Sequence, residues 1–291
     1  MSDVLISRYG AGFLALKVKN QSVEDVLVFG PTIPFSYVGC TVDGKVQSKS
    51  PDGKSLNVDC AGVASAILVE IGKHKICVGD TVRVRITHDA SLVEPHKGHK
   101  GRIVSSSVAL TERSDWLTGV VNMCKNASKI VLNDAVLAQK LTKNDLKNVN
   151  FKHSETIFDD AGYGDFVESL MDASWLLDES GGSITLDRSK VAWCFDVNTS
   201  SVETVSRSRV KKVNHEAWNL INRKIVLLNL SGLILIDFIE MSRTETDHLL
   251  EQIKKDQTLL GIQCLGRTRA GLIEITRKRH GYPLWDLLKI C

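Results

Sequence analysis

The segment Gly232–Glu240, GLILIDFIE, is a nearly continuous apolar run with Asp237 close to its carboxyl end. Apolar residues that do not alternate with polar ones predict a strand that is covered on both faces of its sheet. Val191–Asn198, VAWCFDVN, has the same pattern, because Asp196 ends an apolar run and Asn198 follows two residues later. The two segments therefore predict two core strands, each with a carboxylate at its carboxyl end.

In open α/β sheets, functional groups collect outside the carboxyl ends of strands, so Asp196 and Asp237 can converge if their strands are neighbours. Mg²⁺ is the ion that such a pair of carboxylates usually holds. The two-residue spacing places Asn198 on the same side of its strand as Asp196, where its amide can orient a water molecule or a phosphate oxygen. An alternative stays open: each aspartate only caps the following loop or pairs with an arginine.

The second half of the chain alternates strands with helices around these two segments, and crossover connections predict a largely parallel or mixed sheet with helices on its faces. A Ser-x-x-Glu capping box marks the start of the last long helix. We expect helices from Asp134 to about Lys147, Gly164 to Leu177, Asn214 to about Val226 and Ser242 to about Asp256, and final strands near Gly261–Leu265 and Leu272–Thr276.

The first 110 residues consist of short apolar or alternating runs separated by turn residues, which predicts a meander followed by a small barrel, with an OB-type barrel as one option. Thr81–Ile86 alternates sharply, with Val82, Val84 and Ile86 facing inward. Glu94–Arg102 is basic and rich in turn residues. A solvated hairpin tip and a phosphate site explain it equally well.

The chain has 291 residues with 43% hydrophobic and 24% charged side chains, which excludes wholesale disorder and collagen-like structure. A net charge of +3 is too small to identify a nucleic-acid binder. No apolar stretch is long enough for a bilayer, and the N-terminus lacks a signal-peptide pattern. The seven cysteines form no CxxC pair, so we expect free thiols, a reducing cytoplasmic location and no zinc.

Cationic clusters indicate the charge of the substrate, although any one of them could be a solvated face. A carboxylate pair that binds metal, surrounded by cations, suits a phosphodiester attacked in line by water. One cluster lies in the predicted loop after Asn198 and the other near the last strand. They comprise Arg207, Arg209, Lys211 and Lys212, and Arg267, Arg269, Arg277, Lys278 and Arg279.

These motifs together resemble the ribonuclease E/G family of RNA-cleaving enzymes. The resemblance is strong over residues 181–279, weaker over 128–133 and 156–180, and faint before 110. It is carried by Gly181-Gly182-Ser183-Ile184 leading into Phe195-Asp196-Val197-Asn198, by Val213–Ala217, by Gly232–Met241 and by Gly271–Arg279.

The resemblance implies an endoribonuclease that cuts single-stranded RNA by Mg²⁺-dependent hydrolysis (Mn²⁺ being an alternative), leaves 5′-phosphate ends and acts in RNA processing or decay. Asp196 and Asp237 would bind the metal, Asn198 would support them, and Arg269 would lie near the scissile phosphate. The RNA backbone would be held by Lys100, Arg207, Arg209, Lys211, Lys212, Arg277, Lys278 and Arg279.

The implied fold is a composite α+β fold with an inserted OB-type barrel. Residues 1–38 and 111–185 would form an RNase-H-like element, residues 39–110 the OB-type RNA-binding barrel, and residues 186–291 a DNase-I-like βα subdomain that carries the active site.

The chain departs from the family in two places. The segment between Val108 and Lys129 is too short for the family's 5′-monophosphate sensor domain, and the chain stops twelve residues after Arg279, without the Cys-x-x-Cys zinc link. We therefore expect no 5′-end sensor and no homodimer joined through zinc, and a homodimer formed in another way stays open. We also expect no membrane partner. Two alternatives stay open: an RNA-binding protein without catalysis, and a hydrolase of small phosphate esters.

Overall fold

The computed structural model describes residues 1–63, 65–92, 94, 97–111, 115–199 and 206–291, with only the backbone of Leu260. The protein has a mixed α+β fold and divides into two compact units. The first unit comprises residues 1–157, 279–282 and 286–291, and the second comprises residues 158–278 and 283–285. None of the helices in the described ranges is both long and apolar enough to cross a membrane.

The first unit contains a five-stranded sheet, a barrel and two helices. Its strands are β1 (Ser2–Tyr9), β2 (Gly12–Lys19), β3 (Ser22–Phe29), β4 (Thr41–Lys49), β5 (Ser55–Cys60), β6 (Ile67–Glu70), β7 (Thr81–His88), β8 (Lys100–Ile103), β9 (Ala127–Leu132) and β10 (Val149–Phe151). Its helices are α1 (Trp116–Cys124) and α2 (Ala135–Lys143).

The five-stranded sheet has the order β10-β9-β1-β2-β3. The predicted meander forms β1, β2 and β3, whereas β9 and β10 run parallel to β1, with α2 as the crossover between β9 and β10. Ile6, Phe29, Ile130 and Leu132 are buried between this sheet and the two helices. Three parallel strands therefore end at the same edge of the sheet.

The barrel closes in the order β4-β5-β6-β8-β7, with β6 and β8 as its parallel pair, and is consistent with an OB-type fold. The predicted alternation in β7 is confirmed, since Val82, Val84 and Ile86 are at most 8% exposed. Arg83 faces outward and its Nε donates to Asp43 Oδ1 at 2.7 Å. The basic turn predicted over 94–102 ends in β8, and its Pro95 and His96 lie outside the described residues.

The second unit is a six-stranded mixed sheet with helices. Its elements are α3 (Ile157–Asp160, beginning at the last residue of the first segment), α4 (Gly164–Glu168), β11 (Ser174–Leu177), β12 (Gly182–Arg188), β13 (Ala192–Thr199), α5 (Arg207–Leu227), β14 (Gly232–Asp237), α6 (Arg243–Leu260), β15 (Ile262–Arg267), β16 (Ile273–Arg277) and α7 (Leu284–Leu288, whose residues 286–288 belong to the first unit).

This sheet has the order β11-β12-β13-β14-β16-β15. Its one parallel pair among the described strands is β13 with β14, joined by the crossover helix α5. The apolar stripe of α5 is buried, including Val213, Ala217, Trp218 and Ile225. The capping box at Ser242 is present and opens α6 as predicted.

Four predictions of secondary structure were wrong, two of them only in where a helix ends. The helix expected over 164–177 ends at Glu168 and is followed by a short 3₁₀ turn. Leu176 and Leu177 instead belong to a strand, since one is exposed, the next is buried, and the turn at Gly181 lets both pair with β12. Helix α5 begins at Arg207 rather than Asn214, so the cations placed in a loop lie on its first turns. Helix α2 ends at Lys143, four residues earlier than expected, and α6 ends at Leu260, four residues later than expected.

Strand β14 is not buried equally on both faces. Ile234 and Ile236 are fully buried, whereas Leu233 and Leu235 on the other face are half-buried. The continuous apolar run predicted that both faces of the strand are covered. On the face of Leu233 and Leu235, however, the antiparallel neighbour β16 contributes the polar residues Thr276 and Glu274. The less covered face is the one on which Asp237 lies.

Candidate active site at the carboxyl edge of β13 and β14

The two strand-end aspartates lie next to each other. Asp196 and Asp237 are paired in the parallel register of β13 and β14, and both side chains are exposed. Paired residues on parallel strands project to the same face, and neighbouring strands lie about 4.8 Å apart. Phe195 and Ile236, one position earlier, face the buried side. The sheet therefore presents two carboxylates side by side at one edge.

Alternation along β13 places Asn198 on the same face as Asp196. Asn198 Nδ2 donates to Asp196 Oδ2 at 2.6 Å, and Val197 between them is buried. Because the amide nitrogen is directed at Asp196, the bond orients that carboxylate and leaves the Asn198 amide oxygen as a further acceptor. Within the described parts of the chain, neither aspartate forms an ion pair or caps a helix.

Asn214 holds the chain that follows Asp237. It is fully buried on α5, its Nδ2 donates to Ile239 O at 2.8 Å, and Ile239 N donates to its Oδ1 at 3.1 Å. The amide thus replaces a missing backbone partner and fixes the turn two residues beyond the carboxylate. In the sequence, Asn214 marks the expected start of a helix and belongs to a family motif, but neither signal predicts this positioning role.

Arg269 lies at the same edge of the sheet. The β15–β16 turn is closed by Thr268 N donating to Leu272 O at 2.8 Å and by Gly271 N donating to Thr268 O at 3.1 Å. Since β16 is antiparallel to β14, with Ile273 opposite Ile236, this turn lies at the end of β14 that carries Asp237. The Arg269 side chain is exposed in the turn.

The N-terminus of α5 brings cations to this edge. Ser206 caps the helix, whose first turns carry Arg207, Arg209, Lys211 and Lys212. Hydrogen bonds from Ser242 hold the pKa of the Glu245 carboxyl below its usual value, and the charges of Arg207 and Lys211 lower it further. These two cations therefore lie near the start of α6, which follows Asp237 by a short loop.

Lys212 and the partly buried Glu216 hold the turn between β11 and β12. Lys212 Nζ donates to Glu179 O at 3.0 Å, and Glu179 N donates to Glu216 Oε1 at 2.9 Å. The Lys212 ammonium is therefore engaged within the protein, whereas Arg207 and Lys211 are exposed.

Arg277 lies at the opposite end of the sheet. It pairs with Gly232 at the start of β14, and its Nη1 donates to Leu230 O at 2.9 Å and to Asn229 Oδ1 at 3.1 Å. Burial lowers the pKa of its guanidinium. The expectation that Arg277 contacts RNA is at odds with this geometry, because its guanidinium binds the chain that leaves α5.

The remaining predicted RNA contacts are exposed. Lys278 follows Arg277 beyond β16, at the end of this sheet opposite the two aspartates, and Arg279 belongs to the first unit. Lys100 is exposed on β8 of the barrel, opposite His88 of β7. All three side chains are therefore accessible to a ligand.

The donor set at the edge fits a hard divalent cation. Two carboxylates and one amide oxygen are the ligand types that Mg²⁺ takes, and Mg²⁺ is usually bound through one or two carboxylates with waters and substrate phosphates filling the other positions. The described residues contain no group of three or more His, Cys, Asp or Glu side chains that could enclose a metal. An open site of two carboxylates matches that mode of binding.

The fold and the site define a class: a mixed α+β protein with an OB-type barrel and an exposed pair of carboxylates at the edge of a mixed sheet. The model of the ribonuclease E/G family matches residues 104–280, which is more than half of the chain. The chain belongs to the ribonuclease E/G family.

Individual relatives align over shorter stretches. Ribonuclease E of Synechocystis is 36% identical over 113 residues, 37% of this chain and 17% of the relative. Ribonuclease G of Haemophilus influenzae is 29% identical over 149 residues, 49% of this chain and 30% of the relative. A ribonuclease E/G-like protein of Pyropia yezoensis is 33% identical over 113 residues, 37% of this chain and 22% of the relative. The aligned part spans less than a third of each of these three relatives.

Proposed function

We propose that this protein is a Mg²⁺-dependent endoribonuclease that hydrolyses single-stranded RNA, leaves a 5′-phosphate on the downstream product and serves RNA processing or decay in the cytoplasm. The observation that carries the proposal is the register pairing of Asp196 with Asp237 at an open sheet edge. The family membership and the names of the relatives support RNA as the substrate.

Asp196 and Asp237 would hold the ion, which when bound would polarise the phosphate and lower the pKa of the attacking water. Asn198 keeps the Asp196 carboxylate in place through its 2.6 Å hydrogen bond. Asn214 fixes the chain after Asp237, so that both carboxylates are positioned before substrate arrives. Such preorganisation means that little rearrangement is needed during the reaction.

Cations at the same edge would bind and orient the RNA backbone. Arg269, in the β15–β16 turn, is placed to offset the negative charge that develops on the phosphate. Arg207, Arg209 and Lys211 on the first turns of α5, together with the positive end of the helix dipole, would attract phosphates without regard to sequence. Lys100 of the barrel and the exposed Lys278 and Arg279 would add backbone contacts.

We further assign the five-stranded sheet to an RNase-H-like element and the six-stranded sheet, including its strands β11 and β12, to a DNase-I-like subdomain. The parallel order β10-β9-β1 followed by the β1–β2–β3 meander supports the first assignment. The mixed sheet with carboxylates at the edge of its parallel pair supports the second.

The test uses a 5′-labelled, unstructured RNA of about 20 nucleotides and the full chain. We expect internal cleavage with Mg²⁺ or Mn²⁺, no cleavage with EDTA, and downstream products that a ligase accepts because they carry a 5′-phosphate. Products ending in a 5′-hydroxyl would contradict the proposed hydrolysis. RNA that stays intact while the folded protein binds it in a salt-sensitive manner would instead support an RNA-binding protein without catalysis. Competition with p-nitrophenyl phosphate would reveal an esterase for small substrates.

A further inference from the structure

A cavity of about 600 Å³ opens at the carboxyl edge of the parallel strands β1, β9 and β10 in the first unit. Its volume is in the range of about 300–1,000 Å³ that is typical of small-molecule sites. Carboxyl edges of parallel strands are also where α/β sheets bind ligands. The cavity is lined by Ser7, Arg8, Asn133, His153, Ser154 and Glu155, none of which has a role in the proposed cleavage.

Asn133 provides a buried acceptor for which the described residues offer no donor. Its Nδ2 donates to Ser7 Oγ at 3.0 Å and to Ser154 O at 2.9 Å. Because the Ser154 carbonyl can only accept, the amide cannot be turned around, and Oδ1 keeps its position. That oxygen is buried without a hydrogen-bond partner. Asn133 also lines the cavity, so a ligand that brings a hydroxyl or amine donor would satisfy this acceptor once a small displacement of the side chain exposes it.

The charges around the cavity nearly balance. Arg8 Nη2 donates to Asp134 Oδ2 at 2.6 Å, so these two charges compensate each other, while the Arg8 side chain remains 71% exposed and keeps further N–H donors. Glu155 adds an exposed carboxylate and His153 an exposed imidazole. Without a surplus of positive charge, the lining does not suit a phosphate. It suits a neutral ligand whose groups both donate and accept.

We propose that this cavity binds the ribose of a nucleoside or of an RNA strand, with the 2′-hydroxyl donating to Asn133 Oδ1. The vicinal hydroxyls of ribose can both donate and accept hydrogen bonds. They therefore match the donors and acceptors that line the cavity, which are supplied by Arg8, Ser7, Asn133 and Glu155. The choice of ribose over another sugar rests on the proposed function. The 2′-hydroxyl is the group by which proteins distinguish RNA from DNA, so the site would favour RNA.

The experiment records amide chemical shifts of the isotope-labelled full chain in EDTA, where no cleavage interferes. The probes are adenosine, 2′-deoxyadenosine, adenine, inorganic phosphate, and ten-nucleotide oligoadenylates of RNA and DNA. We expect adenosine or the RNA to shift resonances around Ser7, Asn133 and Ser154, and the deoxy compound to bind about three- to tenfold more weakly, as for one lost hydrogen bond. Shifts by adenosine indicate a nucleoside site, and shifts by RNA alone indicate a strand site.

Equal binding of ribose and deoxyribose compounds would overturn the proposal, as would shifts with adenine or phosphate alone, or no shift with any probe. Asn133→Ala should remove the preference for ribose, and a preference that persists in this variant would also overturn the proposal.

If Asn133→Ala does not fold, Glu155→Ala at the exposed rim of the cavity should weaken binding several-fold. Glu24→Ala, an exposed position on β3, is the control that should leave binding unchanged. Equal effects of the two variants would count against the site. Wild-type protein that cleaves RNA but shows no such shifts sinks only this inference, and protein that shows them without cleaving sinks only the proposed function.

Discussion

In both sheets aspartate lies at the carboxyl ends of parallel strands, but these aspartates have different environments in the two sheets. Asp134 follows β9, is 7% exposed, accepts from Leu137 N at 2.7 Å as the cap of α2, and pairs with Arg8 at 2.6 Å. Asp196 and Asp237 are exposed at the ends of β13 and β14 and, within the described chain, pair with no cation. One aspartate serves the fold, whereas the other two are available to a ligand.

The difference lies in what caps the neighbouring helices. Helix α2 begins directly after Asp134, and this carboxylate caps it. In the second unit Ser206 caps α5 and Ser242 caps α6, so that the aspartates are not required as caps. An acid at a strand end thus indicates a functional site when another residue already caps the following helix.

Replacing Asp237 by asparagine should have the largest effect. The substitution keeps size but removes one of two carboxylates at the edge, so we expect cleavage to fall by at least about 10²–10³-fold, as for loss of one charge-stabilising group. RNA affinity, measured by fluorescence anisotropy, and thermal stability should change little. Asp247→Asn, an exposed acid on α6, serves as the matched control. Unimpaired cleavage by Asp237→Asn would remove the distinction between the two edges.

The arginines at opposite ends of β16 sharpen the comparison within one sheet. Arg269→Gln should lower kcat by about 10²-fold without loss of stability, because the side chain is exposed beside the carboxylates. Arg277→Gln should leave kcat unchanged but cost about 1–3 kcal/mol, since the carbonyl of Leu230 loses its charged donor. Urea unfolding and single-turnover cleavage measure the two effects. If Arg277→Gln lowered kcat and Arg269→Gln lowered stability instead, the active edge of the sheet would be misidentified.

Asn214→Ala tests whether the buried amide positions Asp237. We expect a loss of about 1–3 kcal/mol in stability, because Ile239 N and Ile239 O lose their partner. We also expect about tenfold slower cleavage and a higher Mg²⁺ concentration for half-maximal rate, which a merely structural role would not change. Asn219→Ala, exposed on the same helix, is the control. Slower cleavage with an unchanged Mg²⁺ dependence would contradict positioning.

Local pattern was sufficient for the strands and for the two aspartates. An apolar run with an acid at its end fixes both the strand and the edge at which the acid lies, so β13, β14 and their carboxylates could be predicted. Alternation in Thr81–Ile86 likewise predicted a strand of the barrel, and the Ser242 capping box predicted the start of α6. In each case the signal lies within a few residues.

Long-range packing decided the rest. Asn214 looks like an ordinary helix residue, and only the return of the chain after β14 gives its amide two backbone partners. Arg277 looks like part of a basic surface, but the end of α5 covers it. Residues 174–177 follow a helical stretch, and their pairing with β12 makes them a strand. None of these contacts leaves a trace in the local sequence.

The smallest expected effect concerns the structural aspartate. Hydrogen bonds from Leu137 N and Arg8, together with the charge of Arg8, outweigh burial and hold the pKa of Asp134 below its ordinary value. A lowered pKa in the folded state means that Asp134 stabilises the protein above about pH 4 and that this contribution is lost as pH falls through the folded-state pKa. Asp134→Ala should therefore cost about 1–2 kcal/mol at neutral pH as a lost helix cap, and Asp134→Asn less, because asparagine also caps helices.

Both variants should cleave RNA at the wild-type rate, and their stability should depend less on pH between 5 and 3 than that of the wild type (approximate limits set by the carboxyl pKa). Urea denaturation across this range measures the difference. Neither the helix cap nor the Arg8 ion pair gives Asp134 a part in hydrolysis. A cleavage defect in Asp134→Asn comparable to that of Asp237→Asn would therefore mean that both carboxyl edges take part in the reaction.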